Sequence, residues 1–220
     1  ATIEEVLGLS QAIYDTKNAL NGEQQLATEK SKDLKLIKGL KDLNKAQLED
    51  VTNKVNAANT LTELSQLTQS TLELNDKMKL LRDKLKTLVN PVKASLNYRN
   101  ADYNLKRQFN KALKEAKGVL NKNSGPNVNI NNIQHLLAQI DNAKDQLNGE
   151  RRLKEHQQKS EVFIIKELDI LNNAQKAAII NQIRASKDIK IINQIVNLVL
   201  IILLNPLVSF KIFITSSLAC

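Results

Sequence analysis

Five basic side chains stand close together on one stretch: Lys106, Arg107, Lys111, Lys114 and Lys117. They are more one-sided than the other charges and are the candidate contacts for a polyanion or for an acidic patch on a partner. Asp76, Lys77, Lys79, Arg82, Asp83, Lys84 and Lys86 instead mix signs, as expected of a solvated face with intrahelical pairs. His135 and His156 have no second His or Cys at ligand spacing and are expected to be surface histidines. The single cysteine, Cys220, excludes a disulfide framework and a multi-Cys zinc site, and no motif places a base beside it. Gly39, Gly118 and Gly125 form no phosphate-cradling loop, and GxxxxGK[ST] is absent. These residues assign no catalytic, cofactor-binding or metal-ligating role, and no enzyme is expected. Tyr98, Tyr103 and Phe109 are expected in a core or at a module boundary rather than on a binding platform.

The elements that must carry these side chains are helical. The chain has 220 residues, with 6 Gly and 3 Pro, too few for the many tight turns of a β-sandwich or barrel. Its composition, 42% hydrophobic with 25% charged, is that of a folded chain; aromatics at 3% make any core aliphatic and any base-stacking surface poor. The net charge of +9 suits an acidic or polyanionic neighbourhood: cell-wall polymer, glycosaminoglycan, nucleic acid or anionic membrane. The first residue is not Met and no signal stretch opens the chain, so an interior fragment of a longer protein is expected, and secretion is left open.

The sequence repeats. Leu20-Asn21-Gly22-Glu23 recurs as Leu147-Asn148-Gly149-Glu150, and Ile3, Val6 and Ile13 match Ile130, Ile133 and Ile140, an offset of 127. Ile37-Lys38, Leu40, Leu43-Asn44 and Ala46-Gln47 match Ile165-Lys166, Leu168, Leu171-Asn172 and Ala174-Gln175 at an offset of 128, so one residue is inserted between the two matches. Residues 1–67 and 128–195 are two copies of one stretch.

Apolar spacing is helical throughout. Leu64, Leu67, Thr71, Leu74, Met78, Leu81, Leu85 and Leu88 form a sustained seam, with Pro91 expected to kink or stop the helix. Such a helix of about 30 residues is on the order of 45 Å long, too long for one compact bundle, and is expected to serve two neighbouring ones. Asn44 with Gln47, Asn172 with Gln175, and Thr60 with Glu63 have capping-box spacing. Ser124-Gly125-Pro126 marks a loop. Gly22 interrupts a seven-residue period running Val6, Ile13, Leu20, Ala27 and Leu34, and a continuous or slightly bent helix is expected across it. The expected fold is all-α: a string of three-helix bundles joined by long shared helices, rod-like. The 26 Asn are unusual for helices; several fall where caps and loops are expected.

Tyr98, Ala101-Asp102, Phe109, Ala112-Leu113, Ala116, Leu120, Val128, Ala143-Lys144 and Leu147-Asn148-Gly149 resemble the FIVAR module. The stretch from about Glu23 to Leu67 resembles the three-helix GA module. Their alternation at about 127 residues resembles the giant staphylococcal extracellular-matrix-binding protein family, of the Ebh/Embp type. The resemblance covers roughly residues 1–196. It implies the end of a FIVAR-like module at 1–22, a GA-like bundle at 23–71, a FIVAR-like bundle at 72–149, an incomplete second GA-like module at 150–196 and an atypical apolar tail at 197–220. It also implies a non-enzymatic, wall-associated adhesin at the cell surface, binding fibronectin or another matrix protein, or a cell-wall polymer. Albumin binding by some GA modules is not carried over, because no binding surface matches residue by residue.

The second copy departs from the first after Val196. Residues 197–220 carry one charge, Lys211. The alternatives are an aberrant or frame-slipped end, a membrane-associated segment, or an apolar helix that packs. Against the membrane, the longest clean run, Leu198 to Leu204, is far short of the ~20 residues a spanning helix needs. The rival functions are a soluble polyanion-binding module, for heparin-like chains or nucleic acid, and a pure spacer. Interspersed acids and few aromatics speak against specific nucleic-acid binding. No cofactor is implied, and a monomer is expected.

Overall fold

The computed structural model describes residues 2–20 and 22–204; every regular element among them is an α-helix. The helices are α1 (Ile3–Ala19), α2 (Gly22–Lys38), α3 (Lys45–Ala57), α4 (Leu61–Ala94), α5 (Leu96–Arg99), α6 (Tyr103–Val119), α7 (Ile130–Asp145), α8 (Gly149–Glu167), α9 (Asn173–Ala185) and α10 (Ile189–Leu204).

Packing divides the chain into two units. The first comprises the described residues up to Leu85 together with Leu113–Ala138; the second comprises Lys86–Ala112 and the described residues from Gln139 onward. Three helices, α4, α6 and α7, contribute residues to both. In the first unit, Ile37, Val51, Val55, Ala58 and Leu64 form an aliphatic core, flanked by Leu26, Leu34, Leu48 and Leu67. In the second, Leu153, Ile164, Leu168, Ile183 and Ile192 form another, with Phe163 and Ile179 among its flanking residues.

Local sequence explains where the helices begin. Asn44 and Gln47 close a reciprocal capping box at α3, and Asn172 with Gln175 repeats it at α9, so two otherwise unmet N–H groups are satisfied each time. At α4, the Thr60 hydroxyl accepts from the Glu63 N–H, while the Glu63 carboxylate reaches one residue further back, to the Asn59 N–H. On α4, Leu64, Thr71, Leu74, Met78, Leu81 and Leu85 are buried, the three-four spacing read in the sequence.

Four expectations need correction. Pro91 does not stop α4, which continues to Ala94; the break comes at Ser95, whose hydroxyl caps α5 by accepting from the Tyr98 N–H. The helix does not run through Gly22: α1 ends at Ala19, Leu20 is extended with ψ 96°, and α2 starts at Gly22. No buried face holds the seven-residue period straight there, because Val6, Ile13 and Leu20 are all exposed. The insertion between the repeat copies falls later than the residue identities suggest: Ile164, not Ile165, takes the buried place of Ile37, and Ile165 is exposed. Burial is what defines the register, and the extra residue lies in the last turn of α8. Finally, Arg82 does not stand on a solvated face: it pairs with the Asp42 carboxylate and donates to the Asp42 carbonyl at 3.2 Å, tying α4 to the α2–α3 loop.

Of the apolar end, residues 197–204 continue α10. Val199, Leu200 and Leu203 are half-buried against the second core, and Leu198, Ile201 and Leu204 are exposed. No helix among the described residues is long and apolar enough to cross a membrane. Lys211 and Cys220 lie outside the described residues.

Candidate binding surface

The basic stretch lies on α6. At about 100° per residue, Lys106, Arg107, Lys111, Lys114 and Lys117 fall within an arc of about 140°. Phe109, Ala112, Leu113, Ala116 and Val119 are buried and face the opposite way. The helix carries one acid, Glu115. Lys106, Arg107 and Lys111 belong to the second unit, Lys114 and Lys117 to the first. The five are not equivalent. The Lys106 ammonium donates to the Arg99 carbonyl at 2.9 Å and lies 6.0 Å from the Tyr98 ring centroid, so it closes the α5–α6 turn. Arg107, Lys111, Lys114 and Lys117 are exposed. The structure thus brings the predicted cations onto one face of one helix, where Lys106 makes a structural contact.

The aromatics divide. Phe109 is buried and meets Tyr98 edge-on, centroids 5.9 Å apart at 65°. The Tyr98 hydroxyl accepts from the Asn110 side-chain amide at 2.9 Å. Tyr103 departs from the expected core or boundary position and is exposed. His135 is exposed; His156 is half-buried, with Nε2 2.6 Å from the Asn193 side-chain oxygen. Among the described residues, no group of three or more His, Cys, Asp or Glu converges on a point that could hold a metal.

Two polar joints escaped the sequence reading. In the first unit, Asn44 is fully buried and does more than cap α3. Its amide donates to the Val119 carbonyl at 3.1 Å and to the Pro126 carbonyl at 2.9 Å, and Gln47 donates to the Val128 carbonyl at 3.0 Å. Gly125 permits this closure: a Cβ there would lie 2.7 Å from the Asn44 amide and 2.5 Å from two backbone carbonyls. Lys122 donates to the carbonyls of Lys41 and Leu43; burial pushes its ammonium below the usual lysine range, and the nearby Arg82 charge adds to this. An open groove beside this joint is lined by Asp50, Lys54, Ser70, Thr71, Asn127 and Asn132. There the Lys54 ammonium, 2.7 Å from Asp50, holds the carboxyl below the usual carboxylate range; partial burial opposes it and Asn127 assists.

In the second unit, Asn100 donates to the Lys187 carbonyl at 3.0 Å and accepts from the Ile189 N–H at 2.9 Å. Asp102 and Asn148 exchange two hydrogen bonds, of 3.1 and 2.7 Å. Arg152 reaches the Asn100 carbonyl at 2.7 Å and the Asp102 carboxylate at 3.0 Å. Asn97 accepts from the Glu150 N–H at 3.2 Å. Gly149 sits at the centre of this joint, where a Cβ would be 2.2 Å from the Asn97 carbonyl oxygen and 2.6 Å from the Ala101 nitrogen. The signal available in the sequence was the cluster of Asn at the ends of the repeated segments.

Among the described residues the chain is all-α, and its helices are joined by these polar contacts. The FIVAR domain model matches residues 77–148, and the GA module matches residues 23–77 and 155–198. The chain is homologous to the staphylococcal Ebh/EbhA extracellular matrix-binding proteins. It is 33% identical over 195 residues to extracellular matrix-binding protein ebh of Staphylococcus aureus strain MRSA252, covering 89% of this chain and 2% of that protein. It is 34% identical over 179 residues to EbhA of strain Newman, covering 81% of this chain and 5% of that protein. The chain therefore spans a small fraction of these relatives. The crystal structure of the EbhA 756–1003 domain from Staphylococcus aureus matches with a TM-score of 0.79 at 24% identity, covering 85% of this chain and 75% of that one. A structure solved in characterising Embp-mediated Staphylococcus epidermidis adherence to fibronectin matches with a TM-score of 0.52 at 21% identity, over 57% of this chain and 98% of that one.

Proposed function

We propose that this chain is a non-enzymatic adhesive segment, displayed at the cell surface, that binds fibronectin or another extracellular-matrix protein through the basic face of α6. The same face suits an anionic cell-wall polymer. The observation that carries the reading is the gathering of Arg107, Lys111, Lys114 and Lys117 on the exposed side of a FIVAR-module helix, in a chain homologous to matrix-binding proteins. The module partition goes with it: 1–22 and 72–149 FIVAR-like, 23–71 and 150–196 GA-like. Each contact is weak, and binding gains from repetition, because a second module engages at the effective concentration set by the first.

The experiment is binding of the 220-residue chain to immobilised fibronectin, with albumin and heparin as parallel surfaces, under titrated salt. Binding to fibronectin at physiological salt, with albumin blank, supports the proposal. Arg107→Glu/Lys114→Glu/Lys117→Glu is expected to weaken it at least about tenfold with helical circular dichroism unchanged. Heparin binding alone, lost steeply with salt, points to a polyanion module instead, since such contacts release counterions. Silence on every surface makes the segment a spacer.

A further inference from the structure

The first unit gathers another set of cations away from α6. An open groove of about 620 Å³ runs beside the start of α3, and Lys38, Lys45 and Lys122 line it. Glu49 is the one acid among the lining residues, and it meets the Lys45 ammonium only at 3.8 Å. Thr52, Asn53 and Asn123 add neutral hydrogen-bonding groups. The position of Lys122 is fixed at both ends. Its carbonyl accepts from the Lys45 N–H at 2.8 Å, which seats the 119–126 turn on the first residue of α3. Its ammonium donates to the carbonyls of Lys41 and Leu43, both neutral, leaving the third N–H to a ligand. Partial burial and the Arg82 charge hold this ammonium below the usual lysine range, and an anion in the groove offsets both effects. The cluster is not a general property of the repeat. At the offset of 128, Lys41, Lys45 and Thr52 become Asp169, Asn173 and Ile180, so the start of α9 lacks these cations.

We propose that this groove binds a phosphate group carried on a small hydroxylated molecule. Lys45 and Lys122 hold the phosphate, and Thr52, Asn53 and Asn123 serve the hydroxyls. The donors select the anion. A lysine ammonium is a compact point charge that suits a tetrahedral phosphate, whereas planar carboxylate recognition favours the paired N–H groups of arginine, and no arginine lines the groove. The groove is in the size range of small-molecule clefts. It shares no residue with α6, so the proposal stands apart from the adhesive reading.

The test titrates the isotopically labelled 220-residue chain with glycerol phosphate, glycerophosphoglycerol and triglutamate at constant ionic strength, and follows amide shifts by NMR. The phosphate esters are expected to move the amides of Lys45, Thr52 and Asn123 saturably and to leave those of Asp169, Asn173 and Ile180 in place. A response to the monoester alone assigns a terminal phosphate; a response to the diester assigns a phosphate within a chain. Lys45→Gln is expected to weaken binding at least about fivefold, and Glu49→Gln to strengthen it about two- to threefold by removing the competing carboxylate. Lys122→Gln also loses a contact of the turn, so the exposed Lys45 carries the test. Arg107→Glu/Lys114→Glu/Lys117→Glu is expected to leave the groove amides responding as before. Triglutamate bound as tightly as the esters overturns the proposal in favour of an acidic protein segment. Shifts spread over every basic surface, no saturable shift, or indifference to Lys45→Gln overturn it too. Fibronectin is not read in this measurement, so its outcome is independent of matrix binding.

Discussion

Asn44 and Asn172 show how one residue type at one repeat position carries different weight. Both cap a helix through the same box, but Asn44 is buried and holds two carbonyls of the 119–126 turn, whereas Asn172 is exposed. Asn172→Ala is expected to cost about 1 kcal/mol, a lost cap. Asn44→Ala is expected to cost about 2–4 kcal/mol, because two buried acceptors lose their donor as well. Paired urea denaturation curves give the difference. Gly149→Ala is expected to destabilise by about 1–3 kcal/mol through overpacking against Asn97. Asp50 adds a pH dependence. Its folded pKa is depressed, mainly by the Lys54 hydrogen bond, so its contribution is full above about pH 5 and is lost as pH falls through the carboxylate range. The melting-temperature gap between the parent and Asp50→Asn is expected to be flat from pH 5 to 7 and to close towards pH 2.

At the scale of elements, α4 departs most from propensity. Pro91 lies inside it, removes one rung of the hydrogen-bond ladder, and is nonetheless carried three residues further to Ala94. Pro91→Ala is expected to stabilise the chain by about 1–3 kcal/mol, read as a higher denaturation midpoint with an unchanged urea slope. The short helix α9 relies on packing. Its caps hold its ends, but Ile183 is its one fully buried side chain. Ile183→Ala is expected to cost about 2–5 kcal/mol. Its neighbours Ala177 and Ala178 are exposed, and exchanging either for Ser is expected to change stability by less than about 1 kcal/mol.

At the scale of the molecule, the proposed adhesion and the packing of the core use opposite sides of α6. The buried side holds Phe109, Ala112, Leu113 and Ala116, so charge reversal on the exposed side is expected to alter binding without altering the fold. Lys106→Ala separates the two uses. Its ammonium closes the α5–α6 turn on the Arg99 carbonyl, so the variant is expected to lower stability by about 1 kcal/mol while changing matrix binding less than Lys114→Ala does. Thermal melts and surface binding of the same two variants check this.

Local spacing was sufficient for the all-helical character, the α3 and α9 caps, the α4 seam and the basic face of α6, but not for the break before Gly22 or the end of α4. Each depends on residues within a turn or two of one another, and 3.6-residue spacing is readable without neighbours. The repeat was readable from residue identities, and the order GA, FIVAR, GA came from the family resemblance. Tertiary structure decided what depends on distant partners. It selected Ile164 over Ile165 as the counterpart of Ile37, drew Arg82 and Lys106 away from the charged surface, and gave Asn44 carbonyl partners up to 82 residues away. It also left Leu20 and Gly22 exposed while packing their counterparts Leu147 and Gly149. Burial and polar satisfaction are set by whatever lies opposite in space, and identical residues with different neighbours take different roles.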